Sequence, residues 1–530
     1  MDSSELTLAV AYQRARREFG DSQVVSRIDG TVVTHSYTEL FARVDRLAWA
    51  LTSLGIGPGD RVGTLAWNHH RHLEIYLATT SCGAVLHTIN LRLPADSAVG
   101  IARHAGDKVI FVDVDQAGLL EAVATAELSN LRTVVRMGAA DAGLTATRVP
   151  VLDYEALLAD QPEAAFGYPE LDERMPAATC YSSATTGIPK GVVYSHRGLL
   201  MHSMTLALAD TWAISRRDTI LPVVPMFHVN AWGLPFTAFW MGSRLVLPGV
   251  RPAAADLLDL LEHQRVTFAA AVPTIWMDVL RLVRAQGRPL PSLRLVVSGG
   301  APLPRTLLED ADDLDIPMIH SYGMTEAAPL VLVGQSQGAA ASAADAMLRR
   351  LRQGAVVPGL DYRVVDDDGN SVPRDGTTPG ELQLRGPWVA EEYERDARSA
   401  AAFRDGWYHT GDIVNVDEDG YVKVVDRVAD VIKSGGEWIS TVDLENALMD
   451  HPAVRSAAVI GVPDERWQER PRAYVVLDSD ATGDQLREFL MERFPKFWVP
   501  DVVQALPQIP LTSVGKFDKK ALRQQAAEER

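Results

Sequence analysis

What most constrains the fold of this chain is a rhythm: short β-branched runs alternate with amphipathic helical patterns. Residues 219–224, 268–272, 293–297 and 317–320 read as buried strands, and 254–265, 274–286 and 304–313 as helices between them. An earlier round runs from residues 61–66 through 70–83 to 84–90. Strand, helix, strand at this spacing predicts parallel sheets with helices packed on both faces. Residues 339–352 are alanine-rich and read as a surface helix with little chemistry. At 530 residues the chain exceeds one ordinary core, so two or more domains are expected.

The pattern changes after about Gly420. Residues 421–426 read as a strand, and 427–436 end in Ser434-Gly435-Gly436. Ser440 with Asp443 three residues on predicts a capping box and a helix through Met449. Alternating runs at 457–462 and 473–477 precede another helix near 485–492. This predicts a compact α+β unit of roughly a hundred residues, with its boundary at 426–430.

Composition removes several function classes. A formal charge of −18 argues against a general nucleic-acid or anionic-membrane surface. Cys82 and Cys180 cannot form a disulfide framework, fit a reducing cytosol and have no metal-ligand spacing. No signal peptide is visible at the N-terminus, so a cytoplasmic location is expected. Residues 220–242 carry no Asp, Glu, Lys or Arg and are long enough to span a bilayer. Pro222, Pro225 and Pro235 would break that helix, so a buried strand and loop is expected instead of a membrane span.

The stretch richest in chemistry is Ser182-Ser183-Ala184-Thr185-Thr186-Gly187-Ile188-Pro189-Lys190-Gly191, with four hydroxyls, two glycines and a lysine. Hydroxyls and free N–H groups can wrap a polyphosphate, and Lys190 adds a mobile positive charge. The spacing is not that of a Walker loop. By composition alone it fits a solvated loop; by the order of its residues it closely resembles the signature of the adenylate-forming enzymes. That family comprises acyl-CoA synthetases, peptide-synthetase adenylation domains and beetle luciferases. Further segments match it in the same order. They are Pro225-Met226-Phe227-His228-Val229-Asn230-Ala231-Trp232, Ser298-Gly299-Gly300-Ala301-Pro302, His320-Ser321-Tyr322-Gly323-Met324-Thr325-Glu326 and Tyr408-His409-Thr410-Gly411-Asp412. Lys433-Ser434-Gly435-Gly436-Glu437-Trp438 and Pro510-Leu511-Thr512-Ser513-Val514-Gly515-Lys516 complete the set. The match is strongest to bacterial medium- and long-chain fatty acyl-CoA synthetases.

The resemblance implies an α/β fold: a large N-terminal domain of stacked α/β sheets with helices (1–425), a hinge (426–430) and a small α+β C-terminal lid (431–530). It implies ATP and Mg²⁺, a carboxylic acid, and coenzyme A as acceptor, with an amine or amino acid as the alternative acceptor of an amide ligase. It leaves a homodimer open. Ser182, Ser183, Thr185, Thr186 and Lys190 would hold phosphates, Gly300, Ala301 and Pro302 the adenine, and Ser321, Gly323 and Met324 would also contact ATP or AMP. Tyr322 would stack on the base and Thr325 bond the α-phosphate, while Asp412 and Arg427 hold the ribose. Ser182 and Glu326 would share the metal; from its residues alone Glu326 reads as a buried carboxylate paired with a core arginine. His228, Val229, Trp232, Gly299 and Met324 would line an apolar acyl pocket, and Lys516 would bridge the two reacting anions. Lys433, Gly435, Gly436 and Trp438 would serve the acceptor step. Two positions depart from the family: Ala184 where glycine is usual, and Ala429 at the hinge where Lys or Asp is usual. They weaken the thioester reading more than the adenylate one.

Overall fold

The computed structural model describes residues 4–28, 30–138, 147–182, 189–334, 342–428, 430–434, 437–512 and 517–529. Among these, four sheets form, and the first two carry the expected rhythm. In the seven-stranded sheet, Val151–Asp153, Thr133–Met137, Val109–Asp113, Arg61–Leu65, Val85–Thr88 and Pro176–Tyr181 run parallel in that spatial order. Gly191–Ser195 closes the edge antiparallel to Pro176–Tyr181. The nine-stranded sheet has a parallel centre of Gln23–Ile28, Arg244–Leu247, Thr219–Pro222, Phe268–Ala271, Leu295–Gly299 and Met318–Gly323. Antiparallel strands Thr31–Ser36, Leu330–Val333 and Ala355–Val356 cover its edges.

Local chemistry sets the helix ends. Ser36 and Glu39 form a reciprocal capping box that starts helix Tyr37–Ser53. Helix Pro273–Gln286 opens on a proline, whose fixed φ suits the first turn, and stops at left-handed Gly287. Its Trp276, Val279, Leu280 and Val283 bury against the nine-stranded sheet together with Leu257, Leu261 and Val296.

Three expectations need correction. The uncharged stretch 220–242 is not strand and loop throughout: Leu234–Met241 is a helix, with Pro235 in the first turn, where no intrahelical N–H bond is lost. No helix among the described residues is long and apolar enough to cross a membrane. The strand–helix rhythm also stops earlier than Gly420. Asp361–Val365, Gly380–Arg385, Trp407–Val416 and Val422–Arg427 form an antiparallel sheet with the short strand Phe403–Arg404. Carboxylate-centred turns build it: Asp366 Oδ1 accepts from the N–H groups of Asp368 and Asn370, and Asp417 Oδ1 from that of Tyr421. Finally, Ser440 caps helix Thr441–Met449 through the Asp443 N–H, but the Asp443 carboxylate pairs with Lys423 Nζ at 2.8 Å and does not complete a box.

The last sheet holds Val454–Asp464 antiparallel to Gln468–Leu477, with Ile432–Ser434, Glu437–Ile439 and Val502–Ala505 beside them. Ala457, Val459, Ala473 and Val475 bury against Leu444 and Leu448 of Thr441–Met449 and Leu486 and Leu490 of Gly483–Met491.

Candidate active site

The carboxyl ends of parallel strands are where open α/β sheets bind ligands. Two such ends lie side by side here, with Gly299 in register with Ser321. A Cβ on Gly299 would stand 2.6 Å from the Ser321 carbonyl oxygen, so any larger residue would push the two strand ends apart. Gly300 follows in the left-handed region, at φ 82°. His320 Nε2 bonds the Ala301 carbonyl oxygen at 3.3 Å and holds this turn against its neighbour. Burial pulls the His320 pKa down to about 4, so the ring is neutral near pH 7 and donates that bond.

Tyr322, one residue on, donates its hydroxyl to Asp412 Oδ2. Arg427 Nε donates to Asp412 Oδ1 at 3.2 Å. Burial and then Asp412 push the Tyr322 hydroxyl well above its ordinary range, so it stays a donor. Asp412 also raises the Arg427 guanidinium. Asp412 is only 3% exposed and sits opposite Arg427 on paired strands. The 408–412 segment is therefore strand interior, and the cross-strand partner holds the carboxylate in place.

Ser183, Thr185, Thr186 and Ala184 lie outside the described residues. Ser182 and Lys190 close the base of that loop: Ser182 N–H donates to the Lys190 carbonyl at 2.9 Å, and Lys190 N–H to Ser182 Oγ at 3.3 Å. Lys190 Nζ lies 4.3 Å from the centre of the Tyr393 ring and 3.3 Å from its hydroxyl. Tyr393 in turn donates to Glu326 Oε1 at 2.8 Å. One tyrosine thus joins the loop to the carboxylate. Glu326 is 8% exposed, and among the described residues it has no ion pair with an arginine or lysine. That corrects the reading of a glutamate paired with a core arginine. A nearly buried carboxylate held only by a hydroxyl, with a serine hydroxyl at the loop base, fits a hard cation that takes its other ligands from phosphate. Among the described residues no cluster of three or more His, Cys, Asp or Glu could hold a metal by itself. Thr325, beside Glu326, accepts the Tyr194 hydroxyl at its carbonyl, 2.6 Å away.

Near Gly299 the backbone of residues 229–232 departs from ordinary geometry. Val229, Asn230, Ala231 and Trp232 take φ of 44°, 50°, 50° and 57°, a short left-handed turn of non-glycine residues. Such a conformation costs ~1–2 kcal/mol per residue. It begins at half-buried His228 and ends at Gly233, φ 76°. Val229 is buried in the core. Trp232 lies against Gly299, its ring tip 3.2 Å from where a Cβ there would stand. The ring is also 6.5 Å from that of Trp212, whose Nε1 donates to Ser321 Oγ at 3.1 Å. Met324 packs half-buried between two apolar clusters.

A cavity of about 400 Å³ opens beside the same segment, lined by Pro225, Trp67 and Asn68. Arg92 and Arg251 line it too, each guanidinium 5.7 Å from the Trp67 ring centre. Burial and then Arg251 lower the Arg92 pKa. Tyr393, Arg92 and Arg251 were not legible as site residues, since each acquires its role from partners far along the chain. Lys433 stands on the strand Ile432–Ser434, whose neighbours Gly435 and Gly436 lie outside the described residues. The Trp438 side chain, Ala429 and Lys516 lie outside them too.

The pattern of the AMP-binding enzyme family matches residues 12–394, and that of the AMP-binding enzyme C-terminal domain matches 443–516. The chain belongs to the AMP-binding enzyme family. It is similar over nearly its whole length to a long-chain-fatty-acid–CoA ligase of Thermus thermophilus, at 42% identity covering 99% of this chain and 96% of that protein. A 3-methylmercaptopropionyl-CoA ligase of Ruegeria pomeroyi is 40% identical, covering 98% and 97%. Among solved structures, the anthranilate CoA ligase AuaEII in complex with anthranoyl-AMP shares the fold, with TM-score 0.88, 24% identity and coverage of 99% and 98%.

Proposed function

We propose that this protein activates an apolar carboxylic acid with ATP and passes the acyl group to coenzyme A. It is an AMP-forming acid–thiol ligase. The observation that carries this reading is the meeting of two half-sites at Gly299. A tyrosine–aspartate–arginine clamp suited to a nucleoside stands on one side, and an apolar tryptophan wall on the other.

In the first step a carboxylate oxygen bonds the α-phosphorus of ATP as the bond to pyrophosphate breaks. Asp412 and Arg427 take the ribose hydroxyls, Tyr322 and the 299–302 turn take the adenine, and Thr325 bonds the α-phosphate. Ser182, Ser183, Thr185, Thr186 and Lys190 hold the remaining phosphates. Glu326 and Ser182 would hold Mg²⁺, which offsets the charge gathered on the phosphate oxygens. Lys516 is assigned the cation between the two reacting anions, lowering their repulsion in the transition state. His228 and Trp232 bound the acid. In the second step the thiol sulfur of coenzyme A bonds the acyl carbon, the carbon–oxygen bond to AMP breaks, and the thiol proton leaves to solvent.

A division into a large domain (1–425), a hinge (426–430) and a lid (431–530) lets Lys516 and the 433–438 segment serve successive steps. Arg92 and Arg251 are two cations with no ion pair among the described residues, facing a cavity beside Pro225. They suit the phosphorylated end of coenzyme A. The relatives' names favour the thioester over the amide ligase reading, despite Ala184 and Ala429.

The test is mass spectrometry of the purified enzyme with ATP, Mg²⁺ and a panel of acids, run with coenzyme A or with mixed amino acids. Acyl-CoA formation that falls at least ~10²-fold in Lys516→Ala is expected. Amide without thioester would transfer the reading to the amide ligase, and no AMP with any acid would overturn both.

A further inference from the structure

We propose that Asn230, held by Cys180 and Tyr76, is a positioning residue that pins the left-handed turn 229–232 and so fixes Trp232 against Gly299. This rests on the reading above, in which Trp232 bounds the acid. Asn230 is 1% exposed, and both ends of its amide are engaged. Its Nδ2 donates to the Tyr76 hydroxyl at 3.1 Å, and its Oδ1 accepts the Cys180 thiol hydrogen at 3.3 Å. The Tyr76 hydroxyl donates onward to the Met226 carbonyl, two residues before His228. The clamp therefore grips the turn at one residue inside it and one before it.

The strain and the clamp belong together. Of the four left-handed residues only Asn has a side chain that tolerates this region, while Val, Ala and Trp resist it. A turn of this kind persists only where its surroundings over-determine it. Here the surroundings come from two directions: Tyr76 from helix His70–Ser81, and Cys180 from strand Pro176–Tyr181. That strand runs directly into Ser182 at the base of the phosphate loop, so the clamp ties the acid wall to the strand that carries the loop. Burial pushes the Cys180 thiol up to about 11, which keeps it a donor near pH 7. A second hydroxyl, Thr88 Oγ1, lies 3.2 Å from its sulfur and holds it in place.

The experiment compares Asn230→Ala, Asn230→Gly, Cys180→Ala, Cys180→Ser and Ala231→Gly in the full chain. KM is measured separately for the acid and for ATP. Asn230→Ala and Asn230→Gly are expected to raise the acid KM about 10-fold or more with the ATP KM within 2-fold. The glycine variant matters because it keeps the backbone conformation accessible and removes only the clamp. Cys180→Ala is expected to reproduce a smaller part of the loss, and Cys180→Ser, which restores a donor, to recover it. Ala231→Gly eases the backbone without touching the clamp and should match the parent. Hydrogen exchange over residues 226–234 should rise in Asn230→Ala and Cys180→Ala and not in Cys180→Ser. An unchanged acid KM in Asn230→Ala, an equal rise for ATP, or restoration of the parent by Asn230→Gly overturns the proposal. If the parent forms no AMP with any acid, the functional reading fails, while the exchange pattern still decides whether the clamp exists.

Discussion

The two halves of the site are built on opposite principles. On the side proposed to hold the nucleotide, Tyr322, Asp412 and Arg427 stand on ordinary strands and hold one another by charge-assisted bonds. On the side proposed to hold the acid, Trp232 is delivered by a strained left-handed turn and its apolar ring lies against Gly299. The first arrangement suits a ligand whose hydrogen-bonding groups never vary. The second suits a ligand recognised by shape and apolar contact, where the position of a single ring sets how much fits. On the proposed function, one half reads functional groups and the other reads volume.

That contrast breaks most readily at Asp412. Asp412→Ala removes the proposed ribose acceptor and leaves Arg427 and the Tyr322 hydroxyl without their shared partner. Two charge-assisted bonds from its carboxylate to the ribose hydroxyls would together be worth ~3 kcal/mol, so the KM for ATP should rise about 10²-fold. The ranking of acids by kcat/KM should stay as in the parent. Steady-state kinetics over an acid panel checks both; a reordered acid preference would mean the halves are not separate. Glu326→Gln comes next. Neutralising the carboxylate while keeping its shape should lower the adenylation rate ~10-fold and raise the Mg²⁺ concentration needed for half-maximal rate. Pyrophosphate exchange at graded Mg²⁺ measures it, and an unchanged Mg²⁺ requirement would remove Glu326 from metal binding.

Acidification tests what the halves share. His320 holds the 299–302 turn, and His202 lies beneath Gly233 at the end of the 229–232 turn, its Nε2 accepting the Leu330 N–H at 3.2 Å. Burial lowers their pKa values to about 4 and about 3, against an ordinary 6.5. Each depressed value means that the unfolded chain binds a proton the folded one refuses. The stability these rings allow is therefore full above pH 6.5 and falls as pH drops toward 4, by up to ~1.4 kcal/mol per pH unit for each ring. The melting temperature should decline steadily across that window. A flat profile from pH 6.5 to 4.5 would show that neither ring is held neutral.

Much of this architecture was legible. Residues 268–272 announce a strand because buried parallel strands need unbroken apolar runs, and helix 274–286 announces itself by proline before and glycine after. The family was legible in the order and residue types of segments 182–191, 320–326 and 408–412. The sheet beginning at Asp361 was not, because its turns are made by Asp366 and Asp417 carboxylates whose partners are set only by the fold. Nor was Tyr393, whose meaning comes from Lys190, 203 residues away. The left-handed turn was least legible of all. Val-Asn-Ala-Trp carries no glycine to announce positive φ, and the buried bonds that hold it come from Tyr76 and Cys180.

The smallest expected effect is the most discriminating. Trp232→Ala leaves every nucleotide contact in place, so the KM for ATP should be within 2-fold of the parent. It removes an indole from beside Gly299 and Trp212, opening space where the acid is proposed to lie. A binding pocket gains or loses ~1–3 kcal/mol per added methylene that it can or cannot cover. The ratio of kcat/KM between a bulky or long acid and a short one should therefore move about 10-fold toward the larger acid. If the ratio stays put while both values fall together, Trp232 supports the strand ends and does not face the acid. The acid half would then lose its claim to read volume, and His228 would become the boundary to test.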